Sequence, residues 1–453
     1  MHIHILGICG TFMGGIAMLA RQSGFKVTGS DRNVYPPMSD ELKDAGIDII
    51  QGFEADQLDI KPDLVVVGNV MRRGMGVIER MLNDKIPYVS GPQWLEEHFI
   101  KNKKVLAVAG THGKTTTSAM LTWILEFAHK DPGFLIGGIP GNFGISARNT
   151  ESPYFVIEAD EYDCAFFDKR SKFVHYHPDC LIANNLEYDH ADIFDSIYDI
   201  QKQFHHLIRT IPGKGLVLVP SDDKNLEETL KMGIWTPFEK IGDKNGLHAE
   251  LLKSDGSEFA VFNGDEHLTE VHFDCCGSYN VHNALMAMRA AAFVGVDFKT
   301  SAKALENFIL PKRRLELKGN VNGVSVYDDF AHHPTAIALT SQGLRARLGP
   351  NKRIVAVFEP RSNSMKLGAN HEMLAQSFFS CDETFVYAPD NLKWDIDEIK
   401  GQTKNIIHVI HNFDDLVNEV IKASPYGSSI LVMSNGDFNG IHQKLLDKLK
   451  DRE

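Results

Sequence analysis

Short apolar runs alternate with helical patterns along most of the 453 residues of this chain. The first run, HIHIL at 2–6, predicts a strand, residues 13–24 predict a helix, and KVTGSD at 26–31 predicts a second strand. The apolar run DLVVVGN at 63–69 predicts a further strand, of the kind that is covered on both faces. This order of strand, helix and strand predicts a doubly wound sheet of parallel strands.

The same alternation begins again twice further along the chain. After the polar stretch KNKK, the run KKVLAVAG at 103–110 predicts a new buried strand, and a third block opens at PKRRLELKG, 311–319. We therefore expect an α/β protein of three consecutive domains: a Rossmann-like N-terminal domain, a central domain of the P-loop ATPase type and a Rossmann-like C-terminal domain. The predicted domains are residues 1–102, 103–310 and 311–453.

Composition limits the kinds of molecule that this protein can bind and the environment in which it works. Hydrophobic residues make up 43% of the chain and charged residues 24%, which is typical of soluble globular proteins. The formal net charge of −13 argues against a nucleic acid, because a phosphate backbone requires a basic surface. The six cysteines form no CxxC pair, and glycines interrupt the apolar N-terminus. We expect reduced thiols in the cytoplasm, no membrane span, and a monomer or weak homo-oligomer.

The segment GTHGKTTT at 110–117 lies between a predicted strand and a predicted helix, which is the setting of a phosphate-binding loop. Glycines let backbone amides surround phosphate oxygens, and the helix N-terminus adds partial positive charge. Lys114 is expected to reach the terminal phosphate, and the Thr115 hydroxyl to contact Mg²⁺. The spacing departs from the usual G-x-x-x-x-G-K-[ST], because Val108 stands where the first glycine would be. The predicted phosphate-binding residues are Gly110, Thr111, His112, Gly113, Lys114, Thr115 and Thr116.

Acidic residues follow two later strands. FVIEADEYD places Glu158 at the end of an apolar run, where a nucleotide site keeps its metal carboxylate, with Asp160 and Glu161 close by. NNLEYDHADIF carries His190 among acids after the next strand. Glu158 is the predicted Mg²⁺ ligand, whereas His190, judged on its own, is more typical of a surface residue than of a ligand.

The turn GICGTFMGG at 7–15 lies between the first predicted strand and helix. Its spacing is G-x-x-G-x-x-x-G, and this setting favours a ligand that carries a diphosphate. Asp31 follows the second strand and either accepts ribose hydroxyls or caps the turn. The predicted binding residues here are Gly7, Gly10, Thr11, Met13, Gly14 and Asp31.

Taken together, these motifs resemble those of a known family. GTHGKTTT, EADEYD, LEYDHAD, YNVHN, RRLE and DDFAHHP come in the order seen in the Mur ligases of bacterial cell-wall synthesis. The resemblance covers nearly the whole chain and all three expected domains. The start and the middle are most similar to the branch that adds alanine. EPRSNSMKLG at 359–368 and SNGDFNGIHQKL at 434–445, like EADEYDCAFFDKRSKFVHYHP, resemble the recycling branch, the murein peptide ligases.

The resemblance implies an ATP-dependent ligase that uses Mg²⁺. Such an enzyme would join the carboxylate of UDP-N-acetylmuramate, through an acyl phosphate, to the amine of the tripeptide L-Ala-γ-D-Glu-meso-diaminopimelate. The first domain would hold the UDP-sugar, the central domain ATP and the metal, and the third domain the amino substrate. A cleft between the last two domains would close around ATP and exclude water.

The resemblance also assigns roles to single residues. Lys114 and His190 would act in catalysis, and His190 would bind the metal together with Thr115 and Glu158. The remaining ATP-binding residues implied are Asn280 and Asn283 near the adenine, and Arg314 and Asp329 of the third domain.

Some roles stay open at this stage. Arg361 and His333 are the predicted acceptor-binding residues, but Arg361 could equally pair with Glu359, and His332 or His333 could be the amine's base or structural. Several relatives use a carbamylated lysine as a metal ligand. The region where it would fall contains Lys202 and His205, and neither fits that role.

Three other functions remain to be separated. A ligase that adds free alanine shares every central motif. A nucleotide-dependent binding switch is disfavoured by the linear layout of three domains and the separate N-terminal turn. A nicotinamide oxidoreductase is disfavoured by the imperfect glycine spacing and by the second nucleotide loop.

Overall fold

The first domain is a doubly wound sheet. A computed structural model of the protein describes residues 1–34 and 38–452. The elements of the first domain are β1 (His2–Leu6), α1 (Thr11–Gln22), β2 (Lys26–Asp31), α2 (Met38–Asp44), β3 (Asp48–Gln51), β4 (Leu64–Val67), α3 (Gly76–Asn83), β5 (Tyr88–Ser90) and α4 (Gly91–Leu95). The strands pair in parallel in the order β3-β2-β1-β4-β5, and apolar clusters cover both faces.

The central domain is built on a seven-stranded sheet. Its strands are β6 (Lys104–Ala109), β7 (Gly133–Leu135), β8 (Ala147–Arg148), β9 (Tyr154–Glu158), β12 (Cys180–Ala183), β13 (Leu216–Pro220) and β14 (Phe238–Ile241), numbered around a hairpin of β10 (Asp163–Ala165) and β11 (Asp168–Ser171). The sheet order is β14-β13-β12-β6-β9-β7-β8, and β8 alone among these strands runs antiparallel to its neighbour. The helices are α5 (Lys114–Phe127), α6 (Ile197–Ile208), α7 (Lys224–Lys231), α8 (Ser278–Phe293) and α9 (Phe298–Leu305).

A small antiparallel sheet, which the apolar pattern did not predict, is attached to the central domain. It consists of β15 (Leu247–Leu251), β16 (Glu258–Asn263) and β17 (Glu266–His272), paired in that order. Its outer strands carry several exposed polar positions, so that they lack the continuous apolar run of a buried strand.

The third domain repeats the doubly wound plan. Its elements are β18 (Glu316–Val321), β19 (Val324–Asp329), α10 (Pro334–Leu348), β20 (Ile354–Phe358), α11 (Asn363–Leu367), α12 (His371–Ser377), β21 (Glu383–Tyr387), β22 (Ile406–Ile410), α13 (Phe413–Ala423), β23 (Ser429–Met433) and α14 (Ile441–Lys450). The sheet order is β18-β19-β23-β20-β21-β22, with β18 antiparallel to β19 and the other pairs parallel. The expected α/β class is confirmed.

The distribution of apolar clusters separates the third domain from the other two. One continuous cluster joins the first domain to one face of the central sheet. For example, a Cβ added at Gly15 of α1 would lie 3.1 Å from Leu135 Cγ of β7. The two main clusters of the third domain contain residues of that domain alone. The first two domains therefore form one packed body. The third meets it through polar side chains and through the close approach of Gly343 of α10 to Gly277.

The sequence predictions can be compared element by element. The strands predicted at 2–6 and 26–31 are confirmed. The first helix begins at Thr11, two residues before the prediction, because Gly10 has the extended conformation of an N-cap. Among the helices of the described residues, none combines the length and apolar content needed to cross a bilayer.

Candidate active site

The predicted phosphate-binding loop lies between β6 and α5, and its glycines have positive φ angles. Gly110 has φ 140° and Gly113 has φ 79°. A Cβ on Gly113 would lie 2.5 Å from Asn184 Nδ2 and 2.7 Å from Asn283 Oδ1, so no larger residue fits. The loop leads directly into the 14-residue helix α5, whose first amides can bind an anion.

The loop is held by the segment that follows β12. The Asn185 side chain accepts the His112 amide at 2.7 Å and donates to the His112 carbonyl at 3.0 Å. The Thr111 hydroxyl donates to the Glu187 carbonyl at 3.2 Å. The side-chain amides of Asn184 and Asn185 thus both donate to the His112 carbonyl and fix the loop from the end of a neighbouring strand. Sequence reasoning missed both asparagines, although the pair NN after an apolar run was a usable signal.

Lys114 lies at the centre of a buried charge cluster. Its ammonium donates to the Gly110 carbonyl at 2.6 Å and pairs with Glu161 Oε2 at 3.3 Å. Burial works against the charged form, but the carboxylates of Glu161, Asp160 and Glu158 outweigh it and raise the pKa of Lys114. The lysine is therefore cationic at neutral pH and directed at the phosphate-binding loop.

Glu158 ends β9 beside the loop. Its Oε2 accepts the Gly137 amide at 2.8 Å, and Thr115 donates a hydrogen bond to the same carboxylate. Burial raises the pKa of Glu158, opposed by Lys114 and by Arg314 of the third domain. The predicted metal carboxylate and the predicted metal hydroxyl are thus in contact.

His190 is joined to the same cluster through Glu161. His190 Nε2 lies 2.9 Å from Glu161 Oε1, and Nδ1 lies 2.7 Å from the Tyr162 hydroxyl. Burial is outweighed by Glu161 and Asp189, so the pKa of His190 is raised. Glu161 bridges Lys114 and His190, a more central place than its sequence position indicated.

The donor atoms of this cluster fit a divalent cation. Carboxylate and hydroxyl oxygens, from Glu158 and Thr115, are ligands that Mg²⁺ takes. Gly137 and Gly138 leave space around them: Cβ atoms there would lie 3.0 Å from Glu158 Oε1 and 2.9 Å from Thr115 Cγ2. Glu158 and Thr115 are suited to a metal beside a phosphate group, whereas both ring nitrogens of His190 are bonded to neighbouring side chains. The metal-binding role of His190 stays a prediction.

Asn280 and Asn283 of α8 lie beside the predicted phosphate-binding loop and make hydrogen bonds within the protein. Asn283 Oδ1 accepts Asn184 Nδ2 at 2.9 Å, and Asn280 Nδ2 donates to the Cys276 carbonyl at 2.8 Å. Both side chains are buried. Their contacts lie within the protein next to Gly113, and a contact with adenine stays a prediction.

The third domain reaches the cluster through Arg314 and Asp329. Asp329 is buried and accepts the amides of Leu315 and Ala331, each at 2.8 Å. Burial raises the pKa of Asp329, and Arg314 partly offsets this. The Arg314 guanidinium also acts on Glu158 of the central domain. Arg314 of the third domain thus lies within electrostatic range of both Asp329 and the central cluster, and closure of the cleft stays a prediction.

Direct hydrogen bonds connect the third domain to the segment that carries His190. Ser364 donates to Asp189 Oδ1 at 2.6 Å, and Asn363 donates to Asp192 Oδ2 at 2.8 Å. Asn370 Nδ2 lies 3.1 Å from the Tyr188 carbonyl oxygen. All of these donors lie within or beside α11 and α12. The polar interface is thus centred on the predicted metal ligand.

The predicted acceptor residues have separate positions. His333 is buried and accepts the Thr335 amide at 3.3 Å as the N-cap of α10, and its Nδ1 lies 3.4 Å from Glu187. Arg361 lines the cleft but pairs with Asp437 at 3.1 Å, and less closely with Glu359 at 3.9 Å. Its acceptor role stays a prediction.

The N-terminal turn is capped by Asp31. The carboxylate of Asp31 accepts the Cys9 amide at 2.9 Å and the Asn33 amide at 3.0 Å. Gly7 has φ 80°, and Gly10 is the N-cap of α1, so Thr11 is its first residue. Asp31 therefore has the capping contacts, and ribose binding stays a prediction.

Met13 and Gly14 lie deeper in the same helix. Met13 is buried, and a Cβ on Gly91 would lie 2.7 Å from its sulfur. A Cβ on Gly14 would collide with Met38 Sδ. These two predicted ligand contacts are therefore close-packed positions of the first domain's core.

Lys202 and His205 lie in the region where several relatives have the carbamylated lysine, and both make their contacts away from the charge cluster. Lys202 pairs with Asp199 at 2.7 Å and is 44% exposed. His205 stacks on Trp235, with ring centroids 6.0 Å apart. The contacts of both residues lie around α6, away from the phosphate-binding loop.

Three profiles of one protein family match the chain, one for each domain. Residues 2–103 match "Mur ligase family, catalytic domain", residues 108–291 match "Mur ligase middle domain", and residues 313–436 match "Mur ligase, glutamate ligase domain". The chain belongs to the Mur ligase family. Membership makes this protein a ligase and decides against the binding switch and the oxidoreductase.

Two curated relatives show how this Mur ligase compares with different branches. It is 55% identical over 449 residues to the UDP-N-acetylmuramate--L-alanyl-gamma-D-glutamyl-meso-2,6-diaminoheptandioate ligase of Escherichia coli (strain K12), covering 99% of this chain and 98% of the relative. It is 31% identical to the UDP-N-acetylmuramate--L-alanine ligase of Desulforapulum autotrophicum, covering 99% and 98%.

Solved structures agree on the fold. A murein peptide ligase from Psychrobacter arcticus is 46% identical with a TM-score of 0.77, covering 100% of this chain and 99% of that one. A UDP-N-acetylmuramate-alanine ligase from Thermotoga maritima has a TM-score of 0.81 at 24% identity, covering 100% of each chain. Because the two branches share the fold of this Mur ligase, its acceptor has to be argued from sequence identity and side chains.

Proposed function

We propose that this Mur ligase joins the lactyl carboxylate of UDP-N-acetylmuramate to the amine of L-Ala-γ-D-Glu-meso-diaminopimelate, with ATP converted to ADP and phosphate. One observation carries the proposal: identity to the Escherichia coli ligase of that name is 55% over 99% of the chain. The corresponding identity to an alanine ligase is 31%, which makes alanine addition the second candidate. The reaction fits a role in recycling cell-wall peptides.

The charge cluster supports phosphoryl transfer. Phosphoryl transfer depends mainly on positioning and on compensation of the charge that develops on the transferred group. Lys114, held between Gly110 and Glu161, would supply that charge, and the amides that begin α5 would orient the phosphate. Thr115, Glu158 and His190 would hold Mg²⁺, which supplies Lewis-acid compensation when bound.

The sugar carboxylate would take the terminal phosphoryl group of ATP and become an acyl phosphate. The acceptor amine would then attack the acyl carbon and release phosphate. Arg314 and Asp329 would complete the ATP site from the third domain. The buried bond between Ser364 and Asp189 would keep water away from the reactive acyl phosphate.

His332 is better placed than His333 to meet the amine. His332 lines the cleft, and its Nδ1 lies 3.0 Å from the Phe330 carbonyl oxygen, so Nδ1 carries the proton. Burial lowers the pKa of His332 to about 4, so that the ring is neutral at pH 7. The free lone pair on Nε2 would accept a hydrogen bond from the amine.

An acceptor assay tests the proposal. Purified protein with ATP, Mg²⁺ and UDP-N-acetylmuramate is given either the tripeptide or L-alanine, and ADP and the UDP-sugar product are measured. We expect ADP release only when sugar and amine are both present, with the tripeptide preferred in kcat/KM. Preference for L-alanine would establish the second candidate. ADP release without any amine would contradict both.

Two properties belong to the same proposal. The reaction would take place in the cytoplasm, where the nucleotide substrates are made, and the six cysteines are free thiols in the structure. The protein would act as a monomer or weak homo-oligomer, with no nucleic acid or membrane as a partner.

A further inference from the structure

A polar cavity of about 320 Å³ lies between the segment of His190 and helix α11. The central domain contributes the carboxylates of Asp189 and Asp192 to its wall, and the third domain contributes the cations of Arg361 and Lys366. The two walls therefore carry opposite charge. Such a cavity fits a ligand that has both an amine and a carboxylate.

The two cations differ in their partners. The Arg361 guanidinium is 3.1 Å from Asp437 and 3.9 Å from Glu359. Lys366 has no carboxylate within 4 Å of its ammonium among residues 1–34 and 38–452. It is only partly exposed, and its backbone amide is used within α11, where it donates to the Ser362 carbonyl at 2.9 Å. Lys366 is thus the cation of this cavity that is available to an anion.

A second group on the cavity wall lacks a partner. Asn435, in the segment after β23, lines the cavity, and its Oδ1 is buried without a hydrogen bond in the described part of the chain. Buried carbonyl oxygens are nearly always paired, so an unpaired one on a cavity wall indicates a ligand donor. Lys366 and Asn435 therefore offer complementary contacts, one for a carboxylate and one for an N–H group.

Helix α11 holds Lys366 at a defined place relative to the reaction centre. The Ser362 hydroxyl accepts the Met365 amide at 3.2 Å as the N-cap of α11. Two residues before Lys366, Ser364 is bonded to Asp189, the neighbour of His190. The lysine thus lies across the cavity from the segment where the amine would react.

We propose that Lys366 binds a carboxylate of the acceptor peptide and that Asn435 Oδ1 accepts a hydrogen bond from one of its N–H groups. This inference rests on the proposed function and assigns the acceptor contact to Lys366 in place of Arg361. The peptide would lie with its N-terminal amine toward Asp189 and His190 and a carboxylate toward α11. Lys366 is then a specificity-determining residue of the acceptor site.

The first experiment replaces Lys366 by methionine, which keeps the length of the side chain. We expect KM for the tripeptide to rise about 10- to 100-fold, the range for losing a hydrogen bond to a charged group. KM for ATP and UDP-N-acetylmuramate should stay unchanged, and Lys366→Arg should restore part of the affinity. The matched control is Lys404→Met, an exposed lysine of the same domain. Asn435→Ala should raise the same KM roughly 3- to 10-fold.

The second experiment identifies the carboxylate. Wild type and K366M are compared on the tripeptide and on peptides amidated either at the glutamyl carboxylate or at the diaminopimelate carboxylates. The amidation that removes the partner of Lys366 should raise KM about 10- to 100-fold in wild type and leave K366M unaffected. Equal sensitivity of the two proteins to every amidation would overturn the inference. If wild type ligates none of these peptides, the proposed function itself fails.

Discussion

Ser364 of the third domain donates its hydroxyl proton to Asp189 of the central domain across 2.6 Å, and both residues are buried. The same hydroxyl oxygen accepts the Ala191 amide at 3.2 Å. Ser364 therefore holds the residues on both sides of His190, which has a φ of 56°. The position of a predicted metal ligand of one domain is thus set by a side chain of another.

Ser364→Ala is expected to weaken closure of the cleft. Removing the hydroxyl leaves the buried carboxylate of Asp189 short of a donor, at a cost to the closed state of about 1–3 kcal/mol. We expect kcat to fall about 10-fold, with the affinity for UDP-N-acetylmuramate unchanged, in steady-state kinetics and calorimetry. Ser254→Ala, at an exposed position, is the control. A wild-type kcat in S364A would show that this bond does not govern closure.

Lys114→Ala is expected to abolish turnover, with a loss of about 1,000-fold or more in kcat, because the loop would lose the ammonium that compensates the charge on the transferred phosphoryl group. UDP-N-acetylmuramate binding, measured by calorimetry, should remain nearly intact, since its predicted site is in the first domain. The exposed Lys101→Ala is the control. If sugar binding is lost together with turnover, the proposed division of ligands between domains is wrong.

Gly113→Ala and Gly144→Ala separate backbone strain from collision. Both glycines have left-handed backbone, with φ 79° and 71°, so each substitution costs about 1 kcal/mol of stability. Only at Gly113 would the new Cβ meet Asn184, at 2.5 Å, whereas nothing lies within 4 Å of Gly144. We expect G113A to lose ATP binding and G144A to keep it, in a nucleotide titration. Similar ATP affinity in both variants would contradict the close packing of Gly113 against Asn184.

His4 makes the stability of the first domain depend on pH. It lies buried in β1 with Nδ1 2.9 Å from the Thr28 hydroxyl, and burial lowers its pKa to about 4. The unfolded chain takes up this proton below about pH 6.5, so stability is full above that pH and is lost as pH falls toward 4. At pH 5 the loss is about 2 kcal/mol.

The melting temperature of wild type should therefore fall more between pH 7 and pH 5 than that of His4→Gln, in thermal scans at both pH values. His411→Gln, at an exposed position, should behave as wild type. An identical pH dependence in H4Q would mean that the pKa of His4 is the same in the folded and unfolded chains.

Sequence patterns predicted those strands that are continuous apolar runs and those helices whose apolar residues follow a helical repeat. Strands β4 (LVVV) and β6 (KVLAVA) are of this kind. The antiparallel sheet at 247–272 was missed, because its exposed outer strands show no buried run. The loop at 110–117 was recognisable, since its glycines and lysine are adjacent in the chain.

The site was predictable only where its parts are close in sequence. Glu158 and Glu161 were both noticed, but nothing in the chain order showed that Glu161 would bridge Lys114 and His190. Arg361 was chosen for the acceptor as the cation at a strand end. The structure pairs it with Asp437, 76 residues later, and leaves Lys366 available.

The sequence alone determined the α/β class, the three successive domains and the glycine-rich turn between a strand and a helix at 110–117, because periodic burial and glycine conformations are properties of short segments. Only the tertiary structure decided which side chains meet across domains, such as Ser364 and Asp189, 175 residues apart. The reason is physical: a charged or polar side chain has many possible partners along the chain. Which of them it contacts depends on how the loops at the ends of separate sheets are brought together.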